Sequence, residues 1–214
     1  MCFMKFIPLG IDCTVAAILS SIGVRTVSYP FDWNVTYQGV ATFFENNFTT
    51  FLPKEDECTG IHPFQWSGTC FMHHSFPEHI EKYKRRIRRM LDDISTAEEA
   101  GEEIIFMRKS HAVHHHNETE NLADEVDDLN KLFEILKKNY PSLRFKIVLF
   151  LTCSRCYKNK DQILSTTAEH SNIEFVHFDT ENPSCSYNNM INDYVATLQT
   201  SQPPLAAAND FIPA

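Results

Sequence analysis

Apolar runs and helical repeats alternate along this chain. Short apolar runs bounded by polar or turn-forming residues predict four buried strands, at positions 6–9, 103–109, 145–151 and 173–178. Apolar residues at helical spacing predict five helices, at positions 15–22, 40–48, 80–94, 122–139 and 190–198. The segment 53–68 is charged and rich in turn residues, so it predicts a loop. Residues 69–76 after it form a short strand-like patch with two histidines, His73 and His74.

This order of elements predicts an α/β fold. Strands separated by helices indicate a mostly parallel central sheet of about four or five strands, flanked by helices on both faces. We expect a single domain over residues 1–201 and a flexible tail over 202–214.

Cys13 lies at the predicted junction of the first strand and the first helix. Gly10 ends the strand, and Asp12, Cys13 and Thr14 offer N-cap chemistry for the helix. The unpaired N–H groups and the dipole of a helix start favour a thiolate, which would make this cysteine reactive. The alternative is a small buried hydrophobe, which is what most free cysteines are.

Other polar residues follow the remaining strands. Arg108 and Lys109 end the second strand, Cys153 follows the third and Asp179 follows the fourth. In parallel sheets the functional crevice lies at the carboxyl ends of the strands, so we expect these residues to converge there. Arg86, on the basic predicted helix 80–94, and Arg108 could bind a substrate carboxylate or phosphate, or could form structural ion pairs.

Composition excludes several classes of function. A net charge of −9 and a pI near 5.5 argue against binding to nucleic acid or to anionic lipid. No apolar run approaches the ~20 residues that span a bilayer, and the first residues lack the pattern of a secretory signal. Seven cysteines without regular spacing indicate reduced thiols, so we expect a cytoplasmic protein that does not associate with a membrane.

Two clusters have metal-binding residue types. Cys153 and Cys156 form a single C-x-x-C after a strand, which suits a redox pair or half of a zinc site, but no second pair completes it. His111 and the run 114–116 lie in a polar segment, where adventitious metal affinity is the expected outcome. We therefore predict no metal and no cofactor.

A cysteine nucleophile needs a base and a group that orients it. His73 and His74 are the candidates for the base, and Asp32 or a later carboxylate is the candidate for the orienting group. Their separation in sequence does not argue against them, because such groups meet only in the fold.

Five blocks of sequence carry a resemblance to a known family. They are Leu-Gly-Ile-Asp-Cys at 9–13, Pro-Phe-Asp-Trp at 30–33, Phe-Met-His at 71–73, the basic run at 83–89 and Ile-Phe-Met-Arg at 105–108. Together they resemble a family of unknown function described as papain-like cysteine peptidases, with members in bacteria, eukaryotes and large DNA viruses.

The resemblance implies a thiol hydrolase with Cys13 as nucleophile, His73 as base and Asp32 as the carboxylate that orients the histidine or shapes the site. Supporting or substrate-binding positions would be Asp12, Trp33, His74, Arg86 and Arg108. Two positions depart from the family pattern, which has Asn before the cysteine and Asp after the histidine. An inward Asp12 would disfavour a thiolate, and His74 removes one candidate orienting group.

Three functions remain open from the sequence. The first is a cysteine hydrolase acting on a protein or peptide substrate, at a peptide, isopeptide or related acyl bond. The second is an inactive scaffold that binds a partner protein, such as a viral factor that acts on a host. The third is a hydrolase or transferase that acts on a nucleotide or glycan. The papain-like description suggests a helical lobe beside an antiparallel barrel, whereas the periodicity predicts a parallel α/β sheet. The oligomeric state stays open.

Overall fold

The computed structural model describes residues 4–36, 39–110, 118–153, 170–178 and 186–200, and these residues form seven strands, five α-helices and one short 3-10 helix, Glu55–Glu57. The strands are β1 (Met4–Pro8), β2 (Val35–Thr36), β3 (Phe64–Trp66), β4 (Thr69–Phe71), β5 (Glu103–Lys109), β6 (Arg144–Cys153) and β7 (Ile173–Phe178). The helices are α1 (Thr14–Ser21), α2 (Ala41–Glu45), α3 (Ile80–Ala100), α4 (Glu118–Asn139) and α5 (Tyr187–Thr200).

The central sheet is parallel and has four strands in the order β1-β5-β6-β7. Alternate residues along each strand enter two separate cores, because successive side chains point to opposite faces. Ile104 and Phe106 pack into the core that includes α3 and α4, whereas Ile105 and Met107 pack into the core beneath α1 and α5. The predicted α/β class with helices on both faces is confirmed.

A second, antiparallel sheet in the order β2-β4-β3 was not predicted. Strand β3 lies inside the segment 53–68, so the prediction of a loop was wrong for residues 64–66. The strand-like patch predicted at 69–76 contains β4, but β2 and β3 are two and three residues long, which is too short for a periodic pattern to be recognised. Strand β4 of the small sheet leads directly to His73 and His74.

A cluster of phenylalanines anchors the segment that carries Asp32 and Trp33. The buried Phe31 ring lies 5.4 to 6.3 Å, centroid to centroid, from four other rings, those of Phe43, Phe44, Phe48 and Phe51. Burying an aromatic side chain of this size contributes about 1.5–3 kcal/mol. The Pro-Phe-Asp-Trp block is therefore fixed by its Phe, and the polar residues after it are held in place by that packing.

None of the described helices combines the length and the apolar character needed to cross a membrane. The predicted tail 202–214 lies outside the described residues, so the division at residue 201 stays a prediction.

Candidate functional site

The loop between β1 and α1 places Cys13 at the start of a helix. The N–H of Leu9 donates to the carbonyl of Met107 (2.8 Å), which extends the pairing of β1 with β5. Gly10 and Ile11 then both have positive φ, 82° and 77°, and the chain turns into α1 with Cys13 as its N-cap residue. A β-branched residue at positive φ is strained, and such strain persists only where the surrounding packing holds it. The Cys13 thiol is free and partly exposed.

Asp12 is held by two groups at the mouth of this loop. Its Oδ1 accepts from the N–H of Thr14 (2.8 Å), and its Oδ2 accepts from Nζ of Lys109 (2.7 Å). Burial raises the pKa of the Asp12 carboxyl, but the hydrogen bonds from Lys109 and Thr14 outweigh it, so the pKa lies below its ordinary value. Lys109 also lies over the ring of Tyr187, 4.6 Å from its centroid.

Gly10 brings this loop against the segment that leads from the Pro-Phe-Asp-Trp block into β2. A Cβ at Gly10 would lie 2.9 Å from Oγ1 of Thr36, 3.5 Å from Cβ of Phe31 and 3.6 Å from Oδ1 of Asn34. Only a glycine permits this approach, since φ is also positive there. The first two sequence blocks of the resemblance are thus in direct contact.

Arg108 donates hydrogen bonds to the backbone of the same two segments. Its Nη1 donates to the carbonyl of Leu9 (2.8 Å), and its Nη2 donates to the carbonyl of Thr36 (3.0 Å). Its Nε donates to Oε1 of Glu125 (2.8 Å), and both side chains of this ion pair are fully buried. Arg108 is therefore a structural residue, which was one of the two roles considered for it.

His73 is exposed and lies just beyond β4. Its imidazole meets the ring of Trp33 edge to face, with centroids 5.7 Å apart and planes at 89°. Val35 pairs with Cys70 and Thr36 with Thr69, so β2 and β4 run side by side and bring Trp33 and His73 together. Among the described residues, neither the His73 ring nor the Cys13 thiol makes a side-chain hydrogen bond.

His74 points the other way, into the protein. The ring is buried, and its Nε2 accepts from Nζ of Lys82 (2.9 Å). In the neutral ring Nδ1 then carries the hydrogen and donates to Oη of Tyr83 (3.1 Å). Burial, with the nearby Lys82 and Arg86 charges, lowers the pKa of His74 to about 4. Both ring nitrogens are occupied, so of the two candidate bases only His73 has its ring available.

Asp32 does not reach His73. The carboxylate is fully buried, and its Oδ2 accepts from the N–H of Tyr29 (2.8 Å) and from Nη2 of Arg25. Burial raises the pKa of Asp32, against the opposing effect of Arg25 and of the Tyr29 N–H. Of the two roles considered for Asp32, these contacts serve the shaping of the segment before Trp33.

Arg86 is on α3 and lies close to the Asp32–Arg25 ion pair. It is buried, and its guanidinium carbon lies 5.2 Å from the centroid of the Tyr83 ring. Burial lowers the pKa of Arg86, and the charge of Asp32 opposes that effect. Its burial and its contact with Tyr83 favour the structural role over contact with a substrate.

The sequence reasoning did not identify two ion-pair partners in this region, Lys109 for Asp12 and Glu125 for Arg108. Lys109 was recognised as a strand end but not as the counter-ion of Asp12, which is 97 positions away. The role of Glu125 could have been predicted from the sequence, because this residue lies on the buried stripe of α4 between Leu122 and Val126. A carboxylate on such a stripe needs a buried cation as its partner.

Several predicted residues lie outside the described part of the chain. They are Cys156, Asp179 and the histidines at 111 and 114–116, and the side chain of Cys153 is not described either. Within the described residues, no group of three or more His, Cys, Asp and Glu side chains could hold a metal ion.

One comparison with known proteins gives a match. The sequence model of a family described as "Putative papain-like cysteine peptidase" matches residues 4–63 and 54–156. These two stretches overlap and together span more than half of the chain, including both loops that carry Cys13 and His73. No curated protein and no solved structure gives a significant match.

Proposed function

The chain belongs to this family, described as papain-like cysteine peptidases, and on that premise we propose that it is a cysteine hydrolase. Cys13 is the nucleophile, His73 is the general base, and the bond cleaved is a peptide, isopeptide or related acyl bond. The observation that carries the proposal is the position of Cys13, a partly exposed thiol at the N-cap of α1 and at the carboxyl end of β1.

The reaction proceeds through a thioester. His73 takes the proton of the Cys13 thiol, and the sulfur attacks the carbonyl carbon of the substrate. Backbone N–H groups at the start of α1 hold the oxygen that becomes negative. The leaving amine takes the proton from His73, and water then hydrolyses the thioester, which releases the acid and restores the thiol.

Lys109 supports this proposal because it removes an objection raised by the sequence. An uncompensated carboxylate next to the thiol would disfavour the thiolate. The ammonium of Lys109, 2.7 Å from Asp12, neutralises that charge, and the ring of Tyr187 supports the ammonium from its other side. The departure from the family pattern at position 12 is therefore compatible with thiol chemistry.

Site-resolved alkylation tests the role of Cys13. The intact protein is treated with iodoacetamide near neutral pH, and the modified fraction of each cysteine is followed by peptide mass spectrometry. Cys58 is the internal control: it is also free and partly exposed, while burial and the carboxylates of Glu55 and Glu57 raise its pKa. We expect Cys13 to react at least about tenfold faster than Cys58, as a thiolate-rich site does.

Two variants test the base. His73→Gln should slow the reaction of Cys13, whereas His62→Gln, at another exposed histidine, should leave it unchanged. Equal rates for Cys13 and Cys58 in the wild type would end the nucleophile assignment. Equal rates for the two histidine variants would leave Cys13 reactive but remove His73 as its base.

A double substitution tests the role of Lys109. Lys109→Met leaves Asp12 charged beside the thiol and should slow alkylation of Cys13. Asp12→Asn combined with Lys109→Met should restore the rate, because the opposing charge is gone. A rate that stays low in the double variant would show that Lys109 acts by packing alone.

A scaffold that binds a partner protein without chemistry is the second candidate. The observation that favours it is the engagement of Asp32 with Arg25, which leaves His73 without a carboxylate partner among the described residues. This function predicts that Cys13→Ala retains partner binding and biological effect. Loss of the effect in Cys13→Ala, with an unchanged unfolding midpoint, would decide for the hydrolase.

The third function, on a nucleotide or glycan, rested on Arg86 and Arg108 as free cations. Both are buried, and Arg108 is paired with Glu125. Nothing in the described site favours that function, and we do not propose it.

A further inference from the structure

An open groove runs along α3 and shares no residue with the candidate site. It lies between the segment 47–55 and the helix face formed by Ile80, Lys84, Ile87, Arg88 and Leu91, and its volume is about 550 Å³. This is within the range of sites that bind peptides or small molecules, roughly 300–1,000 Å³. Neither Cys13 nor His73 lines it, so a binding role for the groove is independent of the proposed hydrolase.

The floor of the groove is apolar. Phe48, Pro53 and Ile80 are buried beneath it, while Leu52, Ile87 and Leu91 remain only partly buried. Positive φ at Asn47 and Phe48 turns the chain after α2, so that the next segment forms the opposite wall. Half-buried apolar side chains at the bottom of an open groove are typical of surfaces that receive apolar anchors from a partner.

The rim of the groove is cationic on its α3 side. Lys84 and Arg88 stand on that wall, whereas Lys54 on the opposite wall is followed directly by Glu55, Asp56 and Glu57, of which Glu55 lines the groove. Lys84 is paired with Glu81 at an exposed site, 2.7 Å apart. Within the described part of the chain, Arg88 makes no hydrogen bond or ion pair. The chain as a whole carries a net charge of −9, so this local excess of cations stands out against its surroundings.

From this combination we infer that the groove is a docking site for an acidic segment of a partner protein. Apolar side chains of that segment occupy the floor, and its carboxylates meet Lys84 and Arg88 on the α3 side of the rim. Charge complementarity selects the partner, because a basic or neutral segment meets the same floor without the ion pairs. The open, elongated form along a helix suits a peptide better than a small enclosed ligand.

A peptide selection tests the inference while the partner is unidentified. A phage-displayed library of random peptides of about 12 residues, long enough to follow the helix for several turns, is panned against the full chain. The selected peptides are synthesised with a fluorophore, and their affinity is measured by fluorescence anisotropy. We expect enrichment of sequences with net negative charge and apolar anchors, and loss of binding when the anchors are replaced by Ser.

Two charge reversals on α3 locate the site. Arg88→Glu should weaken the acidic peptides about tenfold, because an attractive pair becomes a repulsive one. Arg85→Glu is the matched control, since Arg85 is exposed on the same helix but does not line the groove. It should change the affinity by less than about twofold. Both substitutions are on the solvent side of α3, and equal thermal midpoints confirm that the fold is kept.

Three results would overturn the inference. Enrichment of neutral or basic peptides would remove the role of the rim. Equal weakening by Arg85→Glu and Arg88→Glu would mean that the peptides respond to the overall positive charge of α3 and do not bind in the groove. Binding to vesicles rich in phosphatidylglycerol that is lost in Arg88→Glu, with no selected peptide sensitive to that change, would assign the face to a membrane surface.

Discussion

Arg108→Met is the substitution whose cost the structure defines most clearly. The guanidinium donates to Glu125 and to the carbonyls of Leu9 and Thr36, at 2.8 to 3.0 Å, and is fully buried. Methionine fills part of the volume but removes the guanidinium from the buried Glu125 carboxylate. Breaking a buried ion pair by removing one partner costs about 3–5 kcal/mol. The two carbonyls lose donors as well, but these costs are not additive with the first.

The measurement is urea unfolding of the wild type, Arg108→Met, Glu125→Met and the double variant. We expect Arg108→Met to lose about 3–5 kcal/mol and about 6–20 °C in thermal midpoint, at 2–4 °C per kcal/mol for a chain of this size. The double variant should be more stable than Arg108→Met alone, because no charge then stays buried. A loss below about 1 kcal/mol, or a double variant less stable than the single one, would refute the reasoning.

Three further perturbations follow from single contacts. His74→Gln should flatten the pH dependence of stability: burial lowers the pKa of His74 from 6.5 to about 4, so only the unfolded chain takes up the proton between these values. The wild type therefore loses stability as the pH falls through that window, and parallel urea midpoints for the two proteins would contradict this. Gly10→Ala should cost more than Gly23→Ala and slow alkylation of Cys13, because both glycines have positive φ but only Gly10 has a neighbour in the way, Thr36; equal unfolding free energies would contradict it. Asp128→Ala should cost about 1–2 kcal/mol in urea unfolding, since its carboxylate accepts from the two N–H groups that begin α2, and no change would show that the cap is dispensable.

The main sheet could be predicted from the sequence because its central strands, β5 and β6, are buried on both faces. Runs such as Ile104 to Met107 are then almost continuously apolar, and a parallel α/β arrangement follows from their alternation with helices. The small sheet could not be predicted in the same way. The pairing of Val35 with Cys70 depends on contacts across the fold and not on any repeat within either strand.

The candidate site was predictable only in part, for a similar reason. A turn-forming Gly10 after a strand indicates where Cys13 stands, because backbone geometry there is local. The choice of partner for a charged residue is not fixed by such local backbone geometry, even when the partner is close in sequence. Asp32 was considered as the carboxylate for a histidine, but in the fold its partner is Arg25, seven positions before it in sequence. Nothing in the composition of either segment distinguishes these two pairings.

The contacts at the junction of the two sheets explain why the motif blocks occur together. Gly10 lets the β1–α1 loop approach Thr36, and Arg108 binds the backbone of both segments. The thiol and the imidazole are thus carried by different sheets, and the buried ion pair fixes one sheet on the other. A site built in this way depends on the stability of the junction as much as on the reactive side chains. We expect Arg108→Met to lower the reactivity of the Cys13 thiol and the additional substitution Glu125→Met to restore it. That result would show that Arg108 acts by positioning the two sheets and has no direct role in the reaction.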